Sequence, residues 1–160
     1  MTYPTNAFSG QEELEFEILN AVAQNFQVPI INIHVAGSAK IGHSLHKGTA
    51  FNPKTSDLDL AIIDGGLFAK YLEIGLKISN GYQDGTKFER QGGTSVIDSY
   101  KSYLSKGIWR PDLSPTGTEK AAWMNFFNKL SIKRYCIMFL FRFRKKRFLF
   151  FKNFYCLIMY

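Results

Sequence analysis

Two short runs of aliphatic and β-branched residues, 30–36 and 58–63, limit what this chain can fold into. The first run follows Pro29 and ends at Gly37, and the second is closed by a further Asp-Gly-Gly turn. Runs of this length and composition favour β-strands, and Pro and Gly mark their ends. Because the flanking segments show helical rather than alternating spacing, the pattern predicts a mixed α/β (α+β) fold.

Helices are expected on either side of these strands. Ser9 with Glu12 three positions later matches a capping box, and apolar residues then recur at helical spacing. The same criterion predicts helices over residues 10–26, 39–46, 67–78, 96–104 and 118–130, with a polar loop over 80–93. We therefore expect a short mixed sheet, with strands near 31–36 and 58–63, packed against helices.

Charge and composition divide the chain near residue 132. The 160 residues carry a net charge of +7, but positions 133–160 hold eight basic residues, ten aromatics and no acid. Positions 1–132 are left with 12 basic and 13 acidic residues, a net charge of −1. With 46% hydrophobic residues, this first part can build one core. We predict one catalytic domain over 1–132 and a basic, aromatic tail over 133–160.

The tail allows three interpretations. Its run 142–147 interleaves basic residues with Phe143, which suits either a nucleic-acid groove or an anionic membrane surface. The uncharged apolar stretches 135–141 and 153–160 are shorter than the roughly 20 residues of a membrane-spanning helix. The third hypothesis is that the tail is a frameshifted or truncated end, because its composition is typical of an AT-rich sequence translated out of frame.

The compartment is predicted from cysteine usage and from the start of the chain. The only two cysteines, Cys136 and Cys156, have neither zinc-site nor disulfide spacing. The first residues lack the basic start and apolar stretch of a secretory signal. We therefore expect a cytoplasmic protein.

The residues that predict chemistry are Gly37-Ser38 after the first strand and Ser56-Asp57-Leu58-Asp59 at the start of the second. Side chains two positions apart on a strand share a face, so Asp57 and Asp59 can bind one metal ion. Gly37 lets a phosphate approach the backbone, and the Ser38 hydroxyl with the following helical amides can donate hydrogen bonds to it. An Asp-Leu-Asp alone also fits a solvated strand end, and only the combination predicts a phosphate and metal site.

This combination resembles the Gly-Ser and Asp-x-Asp signature of the DNA polymerase beta-like nucleotidyltransferases, over about residues 10–64. The resemblance implies transfer of a nucleoside monophosphate from a nucleoside triphosphate, such as ATP, to a hydroxyl-type acceptor, with Mg²⁺ or Mn²⁺ and release of pyrophosphate. It implies that Asp57 and Asp59 bind metal and act in catalysis. It also implies nucleotide binding by the following residues: Gly37, Ser38, Lys40, Ser44 and Ser56.

Two features depart from the family pattern. Ser38 and Asp57 are separated by 18 residues, which an insertion at 46–54 would explain. The family also places a third carboxylate on a later strand, and Asp98 is the best local match, although its neighbours favour a helix. The base therefore stays unassigned, and Asp98 is the candidate for it.

The acceptor and the activity itself stay open at this stage. A second nucleotide, an RNA end, a protein side chain or a small molecule such as an antibiotic all fit the resemblance, and the length favours a small standalone prokaryotic type. The alternative is a catalytically inactive nucleotide-binding module or a truncated gene product. In a third hypothesis the tail is the functional part and binds membrane or nucleic acid.

Overall fold

The structure, a computed structural model, describes residues 5–45, 48–52, 56, 58–92, 94–135 and 155–158, and gives only the backbone of 94, 131–135 and 155–158. The helices of this part are α1 (Glu12–Phe26), α2 (Gly37–Ile41), α3 (Gly65–Ile78), α4 (Ile97–Leu104) and α5 (Thr118–Tyr135). Its strands are β1 (Ile33–Ala36), β2 (Asp59–Ile63), β3 (Arg90–Gln91), β4 (Thr94–Ser95), β5 (Ile108–Trp109) and β6 (Tyr155–Ile158). The predicted mixed α/β class is confirmed.

The described residues fall into two compact units. The first contains residues up to 61 and 128–135, and the second contains 62–127 and 155–158. α1, β1, α2 and the start of β2 belong to the first unit. α3, α4 and β3 to β6 belong to the second, and α5 leaves it after Phe127.

In the first unit α1 supplies much of the core, through the fully buried Ile18 and Val22. The helix ends at Gln27, which adopts a left-handed φ of 56° and is followed by Val28, whose amide donates to the Ala23 carbonyl. β1 then runs beside β2, its neighbour in the sheet. The first unit therefore places the end of β1 close to the start of β2.

The capping box predicted for α1 is wrong. The helix begins at Glu12, with Gln11 as the N-cap and without a side-chain capping bond. The Glu12 carboxylate instead accepts a hydrogen bond from the Gly10 amide at 3.0 Å. Three glutamates in the first turn still complement the positive end of the helix dipole.

An aromatic core holds the second unit. The rings of Tyr71 and Trp109 stack at 4.3 Å between centroids, and Trp123 meets Tyr71 edge-on at 5.6 Å. β5 pairs antiparallel with β6, and β3 pairs antiparallel with β4. Strands of two residues are too short for a periodic pattern, so β3 and β4 replace part of the loop that the sequence predicts.

The predicted tail is described only at its ends. Residues 133–135 continue α5 and 155–158 form β6, whereas the basic run 142–147 lies outside the described residues. The boundary predicted at 132 and the tail's proposed partners stay predictions. Within the described ranges no helix combines the length and apolar character that crossing a membrane requires.

Candidate active site

Gly37 and Asp59 lie against each other in the first unit. β1 ends in an extended conformation at Ala36, and the chain enters α2 at Gly37, whose φ of 58° is left-handed. A Cβ at position 37 would lie 3.2 Å from the Asp59 Cγ and 3.4 Å from the Asp59 Cβ, and closer still to Oδ2. The backbone conformation therefore favours glycine, and a larger residue would also displace the Asp59 carboxylate from its present position.

The position of Asp59 is fixed by the strand that it begins. Asp59 is partly exposed, whereas the next three residues, Leu60, Ala61 and Ile62, are buried. Since consecutive strand residues point to opposite faces, burial of three in a row means that both faces of β2 are covered. The strand cannot shift its register without exposing apolar surface, and so the backbone of Asp59 stays beside Gly37.

Asp57 lies outside the described residues. The interpretation that Asp57 and Asp59 share one face and one metal ion therefore stays a prediction. Among the described residues no three His, Cys, Asp or Glu side chains are grouped as a metal site would require. The part of the predicted site that the structure brings together is the Gly37 backbone with the Asp59 carboxylate.

Ser38 is the second residue of α2 and is partly buried. The neighbouring Ala39 is fully buried, which seats the short helix on the core of the unit. The Ser38 carbonyl accepts a hydrogen bond from the Gly42 amide at 2.9 Å, and this bond closes the helix. Ser38 thus adjoins Gly37 and Asp59, while its contact with a phosphate stays a prediction.

Beyond the end of α2 the predicted helix 39–46 is wrong. Gly42 adopts a left-handed φ of 86° and ends the helix. The chain then forms the arm of a hairpin, in which the Phe51 amide donates to the Gly42 carbonyl at 2.7 Å and the Ser44 amide donates to Thr49 at 2.8 Å. Ser44, a candidate for nucleotide binding, therefore lies in a hairpin arm rather than on a helix.

Ser56 closes a turn just before the Asp57 position. Its hydroxyl oxygen accepts a hydrogen bond from the Asn52 amide at 3.0 Å, and its own amide donates to the Asn52 carbonyl at 2.7 Å. The hydroxyl oxygen thus already has a partner within the loop. Its role in nucleotide binding stays a prediction.

Lys40 is directed toward the N-terminal segment. Its Nζ donates a long hydrogen bond of 3.4 Å to the Thr5 hydroxyl, which in turn donates to Glu15 Oε1 at 2.5 Å. The three side chains therefore connect α2 to α1 through Thr5. The sequence predicts a phosphate contact for Lys40, and the structure places its ammonium beside Thr5.

A second contact joins the N-terminal segment to the end of α2. The side-chain amide of Asn6 lies over Gly42, where a Cβ would be 2.8 Å from Nδ2 and 2.9 Å from Cγ. Sequence reasoning missed Thr5, Asn6 and Glu15. No pattern could have found them, because hydrogen bonds between side chains 35 residues apart leave no periodic signal.

Asp98, the candidate for the base, lies in the second unit. It is exposed in the first turn of α4, as the helical spacing of its neighbours predicts. The resemblance places the third carboxylate on a strand, and Asp98 does not lie on one. Its assignment as the base stays a prediction.

The chain was compared with protein families, curated proteins and solved structures. No protein-family model matches the chain, and no curated protein and no solved structure matches it either.

Proposed function

We propose that this protein is a nucleotidyltransferase with a polymerase beta-like fold, which transfers a nucleoside monophosphate from a nucleoside triphosphate to a hydroxyl-type acceptor. The observation that carries this proposal is the Asp59 carboxylate held against the Cβ-free backbone of Gly37. A carboxylate at the start of a buried strand is a hard oxygen ligand, and it lies directly beside the Gly37-Ser38 turn that the family pattern associates with a phosphate. Neither feature alone would favour this chemistry over a solvated strand end.

The donor set fits a hard divalent cation. Asp59, with Asp57 two positions before it, supplies the carboxylate oxygens that Mg²⁺ or Mn²⁺ prefers. When bound, such an ion supplies neutralisation of the triphosphate charge and of the charge that develops on the leaving pyrophosphate. The protein's own contribution is to hold the two carboxylates and the Gly37-Ser38 backbone in fixed relation.

In the proposed reaction an acceptor oxygen attacks the α-phosphorus in line with the bond to the β-phosphate. The new oxygen–phosphorus bond forms as the bond to pyrophosphate breaks, and pyrophosphate leaves with that electron pair. The acceptor proton passes to a general base. Ser38 orients the triphosphate beside Asp59, because it follows Gly37 directly.

The acceptor defines the subtype. A second nucleotide, an RNA end, a protein side chain and a small molecule each present a nucleophilic oxygen, and a small prokaryotic enzyme acting in the cytoplasm would fit any of them. We therefore propose the donor half of the reaction and leave the acceptor to experiment.

Pyrophosphate release tests the proposal. The purified protein is incubated with each α-labelled nucleoside triphosphate and Mg²⁺, and labelled products and pyrophosphate are measured. The wild type should turn over, Asp57→Asn and Asp59→Asn should lose at least about a hundredfold in rate, and Glu13→Gln, an exposed acid of α1 in the same unit, should keep it.

The alternative outcomes have defined meanings. Binding of nucleotide without turnover, under conditions that include nucleotide, RNA and small-molecule acceptors, would make the protein a nucleotide-binding module. Turnover that survives Asp59→Asn would reject the proposed site.

A further inference from the structure

We propose that Thr5, Glu15 and Lys40 form a positioning network that sets where α2, and with it Gly37, lies relative to Asp59. This inference rests on the proposed function, since it concerns the geometry of the same site. It assigns Lys40 as a positioning residue instead of a phosphate ligand. It also gives the N-terminal segment a role that no motif indicates.

The first step is that α2 cannot hold its own position. The helix has five residues, and an isolated helix of that length is unstable because the first turn is entropically unfavourable. Its place must be set by tertiary contacts. Continuity with β1 joins the beginning of α2 to the strand, but it sets neither the direction of the helix nor the orientation of Gly37 at its start.

The second step is that the N-terminal segment contacts the other end of α2. The 3₁₀ turn Asn6–Phe8 packs against α2, and the Asn6 amide lies over Gly42. Phe8 is 3% exposed, which anchors this turn in the core of the first unit. The end of α2 is therefore held by a buried element that is distant in sequence.

The third step concerns the hydrogen-bond chain. A hydroxyl has one donor hydrogen and two acceptor lone pairs, and Thr5 uses its hydrogen on Glu15 and a lone pair on Lys40. Thr5 is 5% exposed, so water competes little for these bonds. The negative charge of Glu15 attracts the hydrogen of the Thr5 hydroxyl, and the positive charge of Lys40 attracts its oxygen. Both charges therefore favour the same orientation of this hydroxyl.

The packing of the Asn6–Phe8 turn and the hydrogen bonds of Thr5 together set the direction of the α2 axis. A small rotation of α2 would move the Gly37 Cα against the Asp59 carboxylate, because the approach there leaves no room for a Cβ. Loosening the network should therefore weaken nucleotide binding while the core of the unit stays folded. A phosphate ligand would behave differently, since its loss would not depend on Thr5.

The experiment uses four full-length variants: Thr5→Val, Thr5→Ser, Lys40→Met and the double variant Thr5→Val with Lys40→Met. Affinity for a nonhydrolysable ATP analogue with Mg²⁺ is measured for each by titration calorimetry. Hydrogen exchange of the 37–41 backbone amides is followed in parallel without nucleotide.

We expect Thr5→Val and Lys40→Met to weaken binding by a similar factor, roughly three- to tenfold. The double variant should be weaker than Lys40→Met by less than the factor that Thr5→Val alone produces, because the two substitutions share the Thr5–Lys40 connection. Thr5→Ser should restore wild-type affinity by keeping the hydroxyl. Exchange of the 37–41 amides should rise in Thr5→Val, while that of α3 should not.

Two results would overturn the inference. If Thr5→Val keeps wild-type affinity while Lys40→Met loses it, Lys40 binds phosphate directly. If the exchange of the 37–41 amides is unchanged in Thr5→Val, the network does not position α2, whatever the affinity shows. A wild type that binds no nucleotide, yet shows faster α2 exchange in Thr5→Val, would instead reject the proposed function and keep the network.

Discussion

The carboxylate of Asp59 lies against Gly37, so close that a methyl group at position 37 would have to displace it. Gly37 begins α2 and Asp59 begins β2, so the contact joins the two elements of the Gly-Ser and Asp-x-Asp pattern. Because Leu60 and Ala61 are buried on opposite faces of the strand, the strand register places the Asp59 backbone beside Gly37. The relation between these two residues is the basis of the proposed site.

Gly37→Ala should destabilise the protein more than Gly48→Ala does. Both glycines have a left-handed φ, 58° and 64°, so each substitution costs about 1–2 kcal/mol of backbone strain. Only at position 37 does the new methyl group meet Asp59, whereas nothing lies within 4 Å of a Cβ at Gly48. Moving the Asp59 carboxylate out of its present position should add about 0.5–1.5 kcal/mol, measured by urea unfolding.

A second substitution checks that Asp59 causes this difference. In an Asp59→Ala background the obstructing carboxylate is gone, so Gly37→Ala should lose only about as much stability as Gly48→Ala, about 1–2 kcal/mol. An equal effect of Gly37→Ala in both backgrounds would show that the carboxylate does not lie over Gly37.

Gly75→Ala should destabilise the second unit although alanine is the better helix former. Gly75 is buried within α3, and a Cβ there would lie 2.9 Å from the hydroxyl of Tyr100, a residue that is itself fully buried. The methyl group would also lie 3.2 Å from the Tyr82 ring, so both tyrosines would have to shift, and we expect a net loss of about 1–3 kcal/mol.

Gly65→Ala provides the matched control for that change. Gly65 begins the same helix, and nothing lies within 4 Å of a Cβ there. Removing a glycine from this exposed position should leave stability unchanged or raise it by up to about 1 kcal/mol. Thermal unfolding of the two variants gives the comparison, and a stabilised Gly75→Ala would contradict the packing described for Tyr100.

Asp84 should make stability depend on pH in the acid range. The pKa of its carboxyl is lowered, first by the hydrogen bond from the Thr86 hydroxyl, then by the Thr86 amide, with a smaller contribution from Lys87. A folded-state pKa below the unfolded value contributes stability above the unfolded pKa, and this is lost as pH falls through the folded pKa. Asp84→Asn should thus lower the melting temperature at neutral pH, and the difference from wild type should vanish in acid.

Thr86→Val tests the stated cause. Without the hydroxyl donor the pKa of Asp84 should rise toward its ordinary value, which NMR titration of the carboxyl carbon measures directly. A pKa that stays equally low in Thr86→Val would show that another group stabilises the carboxylate.

Much of the fold could be predicted because its main elements are long enough to show periodicity. α1, α3 and α5 bury one stripe each, and their positions follow from apolar spacing within a few residues. β5, with two residues, has too few positions for any alternation. α2 ends earlier than its sequence suggests because Gly42 takes a left-handed conformation.

The candidate site was predictable only in part, because some of its residues belong to a local sequence pattern and others meet only through tertiary packing. Gly37 and Asp59 can be found because Gly-Ser after one strand and Asp-x-Asp at the start of the next form a combination, although each part alone is common. Thr5 and Glu15 contribute through contacts with Lys40 that depend on how the elements pack, and polar residues of these types are common on any surface. Such contacts cannot be predicted from local sequence.

Metal binding in the ternary complex tests the central claim most directly. Mn²⁺ affinity is measured by electron paramagnetic resonance in the presence of a nonhydrolysable ATP analogue, for wild type, Asp59→Asn and the exposed-acid control Glu13→Gln. We expect Mn²⁺ binding that requires the nucleotide, a loss of at least about tenfold in Asp59→Asn, and no change in Glu13→Gln. Equal Mn²⁺ affinity in wild type and Asp59→Asn would contradict the proposal that Asp59 holds a metal ion beside a triphosphate at Gly37.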